Sequence, residues 1–157
     1  MNNDINSDVS IAADFLGPDG TLVYNKLERA LEITLHGMIF NSNHMSGMTL
    51  ATKIQRALDQ GRQTHSVTIE MVNEIRFYCC AGGYGGLFSV AQVLANRLGK
   101  PVRAYTTRYS PAGSRGGYSN KTKVFSSKSK NVMVEGIHRV LYFTSENIIL
   151  PAQRAFR

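Results

Sequence analysis

A chain of 157 residues, 43% hydrophobic, 18% charged and 9% aromatic, has the length and balance of one globular domain with a core of its own. No apolar run approaches the roughly 18 residues of a membrane-spanning helix, and the 2 cysteines are too few for a disulfide scaffold. The net charge of +7 is uneven: residues 1–80 carry 6 Lys/Arg against 9 Asp/Glu, whereas residues 81–157 carry 12 against 2. A cationic second half concentrates polyanions or acidic partners around it.

In chain order, residues 1–20 are polar, lack the basic and apolar regions of a secretory signal, and end in the turn signal "GPDG". They read as a flexible N-terminal arm or a short edge element, and residues 21–157 as one α/β domain. The run "LEITL" reads as a strand that stops at His36-Gly37, followed by loop chemistry in "NSNHMSG". "MTLATKIQRALDQG" predicts a helix, with Leu50, Ile54, Ala57 and Leu58 at helical spacing and Gly61 as its stop. "IRFYC" predicts a buried strand that ends at the adjacent thiols Cys79 and Cys80, and "GGYGG" is the turn out of it.

The clearest helix lies in "LFSVAQVLANRLGK", where Leu87, Val90, Ala91, Leu94 and Leu98 form an apolar stripe that Gly99 terminates. "PVRAYTT" predicts a third strand, and the strand–helix–strand series predicts parallel pairing through crossovers. Residues 108–131, rich in Gly, Ser, Lys and Arg, read as a long loop or a mobile β-excursion. "VMVEG" and "HRVLYFTS" predict a final hairpin, a β-rich C-terminal piece on a mostly parallel sheet flanked by helices.

Two predicted strands end in reactive residues, His36 on one and Cys80 on the other, 44 positions apart. Parallel strands point their carboxyl ends to one edge, where such folds place their sites. A thiol nucleophile needs a neighbouring imidazole to take its proton, and donors to the developing oxyanion. The backbone of Gly37 and of Cys80 would supply those donors. Side chains alternate along a strand, so Cys79 is expected to pack beneath Cys80. The other histidines, His44, His65 and His138, read as surface or capping residues.

A hydrophobic strand ending in His-Gly, followed by one ending in a small residue and Cys, resembles the caspase-like cysteine peptidases. The segment "CCAGGYGGLFSVAQVLANRLGKPVRAYT" is more closely similar to cysteine protease-like modules of bacterial toxins and effectors. There a Phe-x-x-x-Leu-Ala-x-x-Leu-Gly helix and a Pro-Val-x-Ala strand follow the cysteine. Those elements correspond here to Phe88, which lies two residues further ahead than in that pattern, and to Leu94, Ala95, Leu98, Gly99, Pro101, Val102 and Ala104.

The resemblance implies a caspase-like fold and a cysteine endopeptidase with His36 and Cys80 as its catalytic dyad. It implies no metal or organic cofactor, and a protein substrate. The enzyme would be the toxic or self-processing part of an effector, with a cognate immunity protein if it is antibacterial. It would act in the cytoplasm, or in a target cell that a dedicated secretion system reaches.

The basic run Arg103, Arg108, Arg115, Lys121, Lys123, Lys128 and Lys130, interleaved with Tyr105, Tyr109, Tyr118 and Phe125, has two further readings. It suits a polyanion activator such as the inositol hexakisphosphate that some toxin protease domains bind. It equally suits a nucleic-acid-targeting toxin or binding module that works through its second half. A phosphate-binding reading of "AGGYGG" lacks the Gly-Lys-Ser/Thr that a P-loop requires.

Overall fold

The structure is a computed structural model that describes residues 8–38, 41–42, 45–106, 122–128 and 131–155. It is an α/β fold built on a six-stranded sheet in the order β1-β2-β3-β6-β7-β8. The strands are β1 (Val9–Ile11), β2 (Thr21–Asn25), β3 (Ala30–Thr34), β6 (Glu74–Tyr78), β7 (Val102–Tyr105) and β8 (Thr122–Phe125). A separate two-residue hairpin, β4 (Gly37–Met38) with β5 (Asn41–Ser42), follows β3. The parallel core expected from the strand–helix–strand series is present as β3–β6 and β6–β7.

The sheet is nonetheless mixed rather than mostly parallel. β1–β2, β2–β3 and β7–β8 pair antiparallel. The difference arises at both flanks. Residues 8–20 supply edge strand β1 and the buried Leu16, and β2 returns beside β3 through a tight turn. At the other edge β8 forms inside residues 108–131, in keeping with the β-excursion reading of that stretch.

Two helices, α1 (Gly47–Gln60) and α3 (Val90–Leu98), make the second layer, with the one-turn α2 (Arg62–His65) between them in the chain. In α1 the Ser46 side chain caps the first turn by accepting from the Thr49 amide at 3.3 Å, and Leu50, Ala51, Ile54 and Leu58 are buried. In α3 Ser89 caps in the same way, and Gly99 at φ 69 returns its N–H to Ala95. Their buried faces join Leu31, Ile33, Ile75, Phe77, Val102 and Ala104 in one core. The alternate residues Glu32, Thr34, Glu74, Arg76, Tyr78 and Arg103 are half-exposed, as period-2 strands with one covered face require.

The C-terminal hairpin and the β-rich piece it belonged to do not form. Residues Val132–Thr144 are helix α4, followed without a break by a wide π-type turn, Ser145–Ile149, and by α5 (Leu150–Ala155). A cap and a buried face override the β propensity of "VMV" and "VLYF". Asn131 caps the helix, its Oδ1 accepting from the amides of Met133 and Val134. The residues that bury, Val134, His138 and Ser145, recur at helical spacing.

Candidate functional site

The site is built at the carboxyl edge of β3 and β6. Their register runs from Ala30↔Glu74 to Thr34↔Tyr78, a constant offset of 44 residues. The Leu35 amide donates to the Tyr78 carbonyl at 3.2 Å, which carries the ladder past the strand ends. Leu35 and Cys79 both enter the core. By the same alternation His36 and Cys80 belong to the uncovered side, His36 exposed and Cys80 half-buried. The structure thus brings these two predicted residues to adjacent strand ends.

The neighbouring thiols differ because one faces the core. Cys79 is fully buried, and its Sγ lies 3.2 Å from the Ser42 hydroxyl. Burial pushes its pKa from 9.0 up to about 12, despite the opposing pull of the Ser42 hydrogen bond. At neutral pH it is a thiol packed beneath the site.

Cys80 begins the turn that leads into α3. Ala81 follows it at φ 55, a left-handed conformation that costs a residue with a Cβ about 1–2 kcal/mol. The turn is held by Gly83 N donating to Tyr105 O at 2.7 Å and Ala91 N donating to Gly82 O at 2.9 Å. Gly82 permits close packing, since a Cβ there would lie 2.6 Å from the Phe77 ring.

The other predicted oxyanion donor, Gly37, opens the β4–β5 hairpin and pairs with Ser42. Through Ser42, which touches Cys79, that hairpin lies against the end of β6.

Sequence reasoning missed two participants. The His36 imidazole is 3.2 Å, Nε2 to Oδ2, from Asp19. Asp19 lies in the "GPDG" turn between β1 and β2, and only the β2–β3 pairing returns that turn to the end of β3. Ser42, read as loop chemistry, is the hydrogen-bond partner of Cys79.

Among the other histidines, His44 lies outside the described residues. His65 is half-buried at the end of a one-turn helix, its Nδ1 accepting from the Val67 amide at 2.9 Å. His138 is a correction: it is buried at 1% exposure, with Nε2 2.7 Å from the Leu87 carbonyl and Nδ1 3.4 Å from Asn96 Nδ2. Its placement was unreadable while residues 132–144 were taken for strands.

Of the basic run, Arg108, Arg115, Lys121 and Lys130, with Tyr109 and Tyr118, lie outside the described residues. Arg103 is paired with Glu74 at 2.7 Å, and Lys123 sits 5.5 Å above the Phe125 ring. Among the described residues no group of three His, Cys, Asp or Glu side chains is placed to hold a metal ion.

A family model described as "Secreted effector protein SteB" matches residues 30–142, from the first residue of β3 into α4. The chain belongs to the SteB family of secreted effector proteins. No curated protein and no solved structure matches it. In this SteB-family chain the matched span includes His36, Gly37 and Cys80, while Asp19 lies before it. The match assigns an effector role, and the chemistry behind that role is left to the site. Among the described residues no helix of the SteB-family chain is long and apolar enough to cross a membrane.

Proposed function

We propose that this secreted effector is a cysteine peptidase delivered into a target cell, with Cys80 as nucleophile and His36 as acid and base. The Cys80 thiol gives its proton to the His36 imidazole, and the sulfur attacks the scissile carbonyl carbon. Its electron pair moves onto the carbonyl oxygen, toward which the amides of Gly37 and Cys80 would donate. The oxyanion collapses, the C–N bond breaks, and the imidazolium protonates the leaving amine. Water then hydrolyses the thioester and regenerates the thiol. Asp19, 3.2 Å from the ring, would orient the imidazole.

The observation that supports this reading is the parallel pairing of β3 and β6, whose carboxyl ends, with His36 and Cys80 two residues beyond them, lie at one edge of the sheet. The strained Ala81 next to the nucleophile adds to it, since such conformations gather at functional turns. The test is expression of the wild type and of Cys80→Ala, His36→Ala and Cys79→Ala in target cells, with mass spectrometry of newly formed protein termini. New termini should appear with the wild type and with Cys79→Ala, and should vanish with the other two. If folded Cys80→Ala yields the wild-type set of termini, the peptidase reading fails.

A further inference from the structure

The side of α4 turned away from the domain has no partner among the described residues. Its orientation is fixed from the inside. Val134 and His138 are buried, and Leu150 is buried beyond the π turn. Glu135 pairs with Arg97 at 3.6 Å. Glu146 accepts hydrogen bonds from Thr49 at 2.9 Å and from Ser46 at 3.3 Å. The opposite side therefore faces solvent, and it is apolar: Val132 is 86% exposed, Met133 73%, Val140 65%, Phe143 64% and Ile148 61%. From Val132 to Ile148 this ridge is about 24 Å long at 1.5 Å per residue.

Charge narrows the choice of occupant. Glu135 and Glu146 are the two carboxylate side chains in residues 81–157, and both are turned to partners inside the domain. The outward ridge carries no anion, and the one cation on α4, Arg139, is exposed. Residues 81–157 carry 12 Lys/Arg in sequence, and Lys128, just ahead of α4, is exposed as well. A second copy of a chain with net charge +7 would be repelled by this surface. A specific protein interface would carry about one hydrogen bond per 100–200 Å² to set its register. This convex ridge offers few groups for that purpose: Asn147 spends its amide on the Phe143 carbonyl at 2.9 Å. An apolar ridge on a cationic body is instead what an anionic bilayer accepts, with side chains in the acyl boundary and cations among the headgroups.

We propose that the outward face of α4 is a peripheral docking surface for anionic phospholipid membranes. Val132, Met133, Val140 and Phe143 enter the interface, and Arg139 lies at headgroup level. This inference does not depend on the peptidase reading.

The test is co-sedimentation of the full chain with vesicles of phosphatidylcholine alone and with vesicles that also contain phosphatidylserine. Val140→Ser/Phe143→Ser and Arg139→Gln are run alongside, with circular dichroism to establish that each is folded. The wild type should pellet with the phosphatidylserine vesicles and stay in solution with the others. The double variant should stay in solution with both. Arg139→Gln should weaken partitioning about fivefold, the worth of one cation near such a surface. Absence of pelleting, or pelleting that the folded double variant retains, overturns the proposal. So does a dimer in sedimentation velocity that the double variant abolishes, because the face would then belong to a second copy.

Discussion

Cys79 and Cys80 are covalent neighbours with opposite chemistry, because a strand turns successive side chains to opposite faces. Cys79 shares the core with Phe77 and the buried hydroxyl of Ser42, whereas Cys80 opens onto the turn. In the folded protein iodoacetamide should therefore alkylate Cys80, and Cys79 should react only after unfolding. Peptide mass spectrometry reads the ratio, and equal labelling of the native protein would contradict the packing described above. The raised pKa of Cys79 also gives a pH dependence with a definite sign. Between 9.0 and about 12 the folded chain keeps a proton that the unfolded chain loses. The stability that Cys79 contributes is thus complete below 9.0 and declines as pH rises through that window. Urea unfolding across that range should fall more steeply for the wild type than for Cys79→Ala.

Among the elements, α4 depends most on tertiary partners. Asn96 Oδ1 accepts from Gln92 Nε2 at 3.0 Å and from the Lys128 amide at 2.6 Å, so the Asn96 amino group faces His138. His138 Nδ1 must then be an acceptor, and Nε2–H donates to the Leu87 carbonyl. One buried ring thereby joins α4 to α3 and to the turn before it. His138→Ala leaves the buried Asn96 amino group and the part-buried Leu87 carbonyl without this partner, at a cost of about 1–3 kcal/mol, mostly from Asn96. Calorimetry should show a lower Tm, and hydrogen exchange should quicken first in α4. Wild-type protection of the α4 amides in a folded His138→Ala variant would show that apolar contacts alone dock the helix.

Over the whole molecule, one face of the sheet is closed by helices and the other is laced by ions. The Arg76 guanidinium pairs with Glu28, with Glu32 at 3.3 Å and with Glu74 at 3.7 Å, and Glu74 also holds Arg103. Burial by itself would lower the Arg76 pKa, but the hydrogen bond and charge of Glu28 raise it overall. Arg76→Ala leaves three carboxylates facing one another across β3 and β6. With the group only partly shielded from water, the loss should be about 1–2 kcal/mol at low salt and smaller in molar salt, where the screening length is about 3 Å. Denaturant midpoints at the two salt concentrations measure this, and a salt-independent loss would point to packing instead.

The features legible in the sequence were those written locally. Leu50, Ile54 and Leu58 behind Ser46, and the Val90–Leu98 stripe closed by Gly99, each carry their cap, period and stop within one window. The β3–β6 pair, and with it the common sheet edge of His36 and Cys80, followed from strands that end in reactive residues on either side of a helix. Two things were not local. The β propensity of residues 132–144 was overridden once Val134 and His138 found a surface to bury against, and nothing in "VMVEGIHRVLYFT" by itself shows that surface. Likewise β2 turns a sheet expected to be mostly parallel into a mixed one, and brings Asp19 to His36 across 17 residues. Period and capping are properties of a segment, so the sequence by itself determined α1, α3 and the parallel core. Which faces meet is a property of the packed chain, so only the tertiary structure decided the mixed flanks, α4 and the acid beside His36.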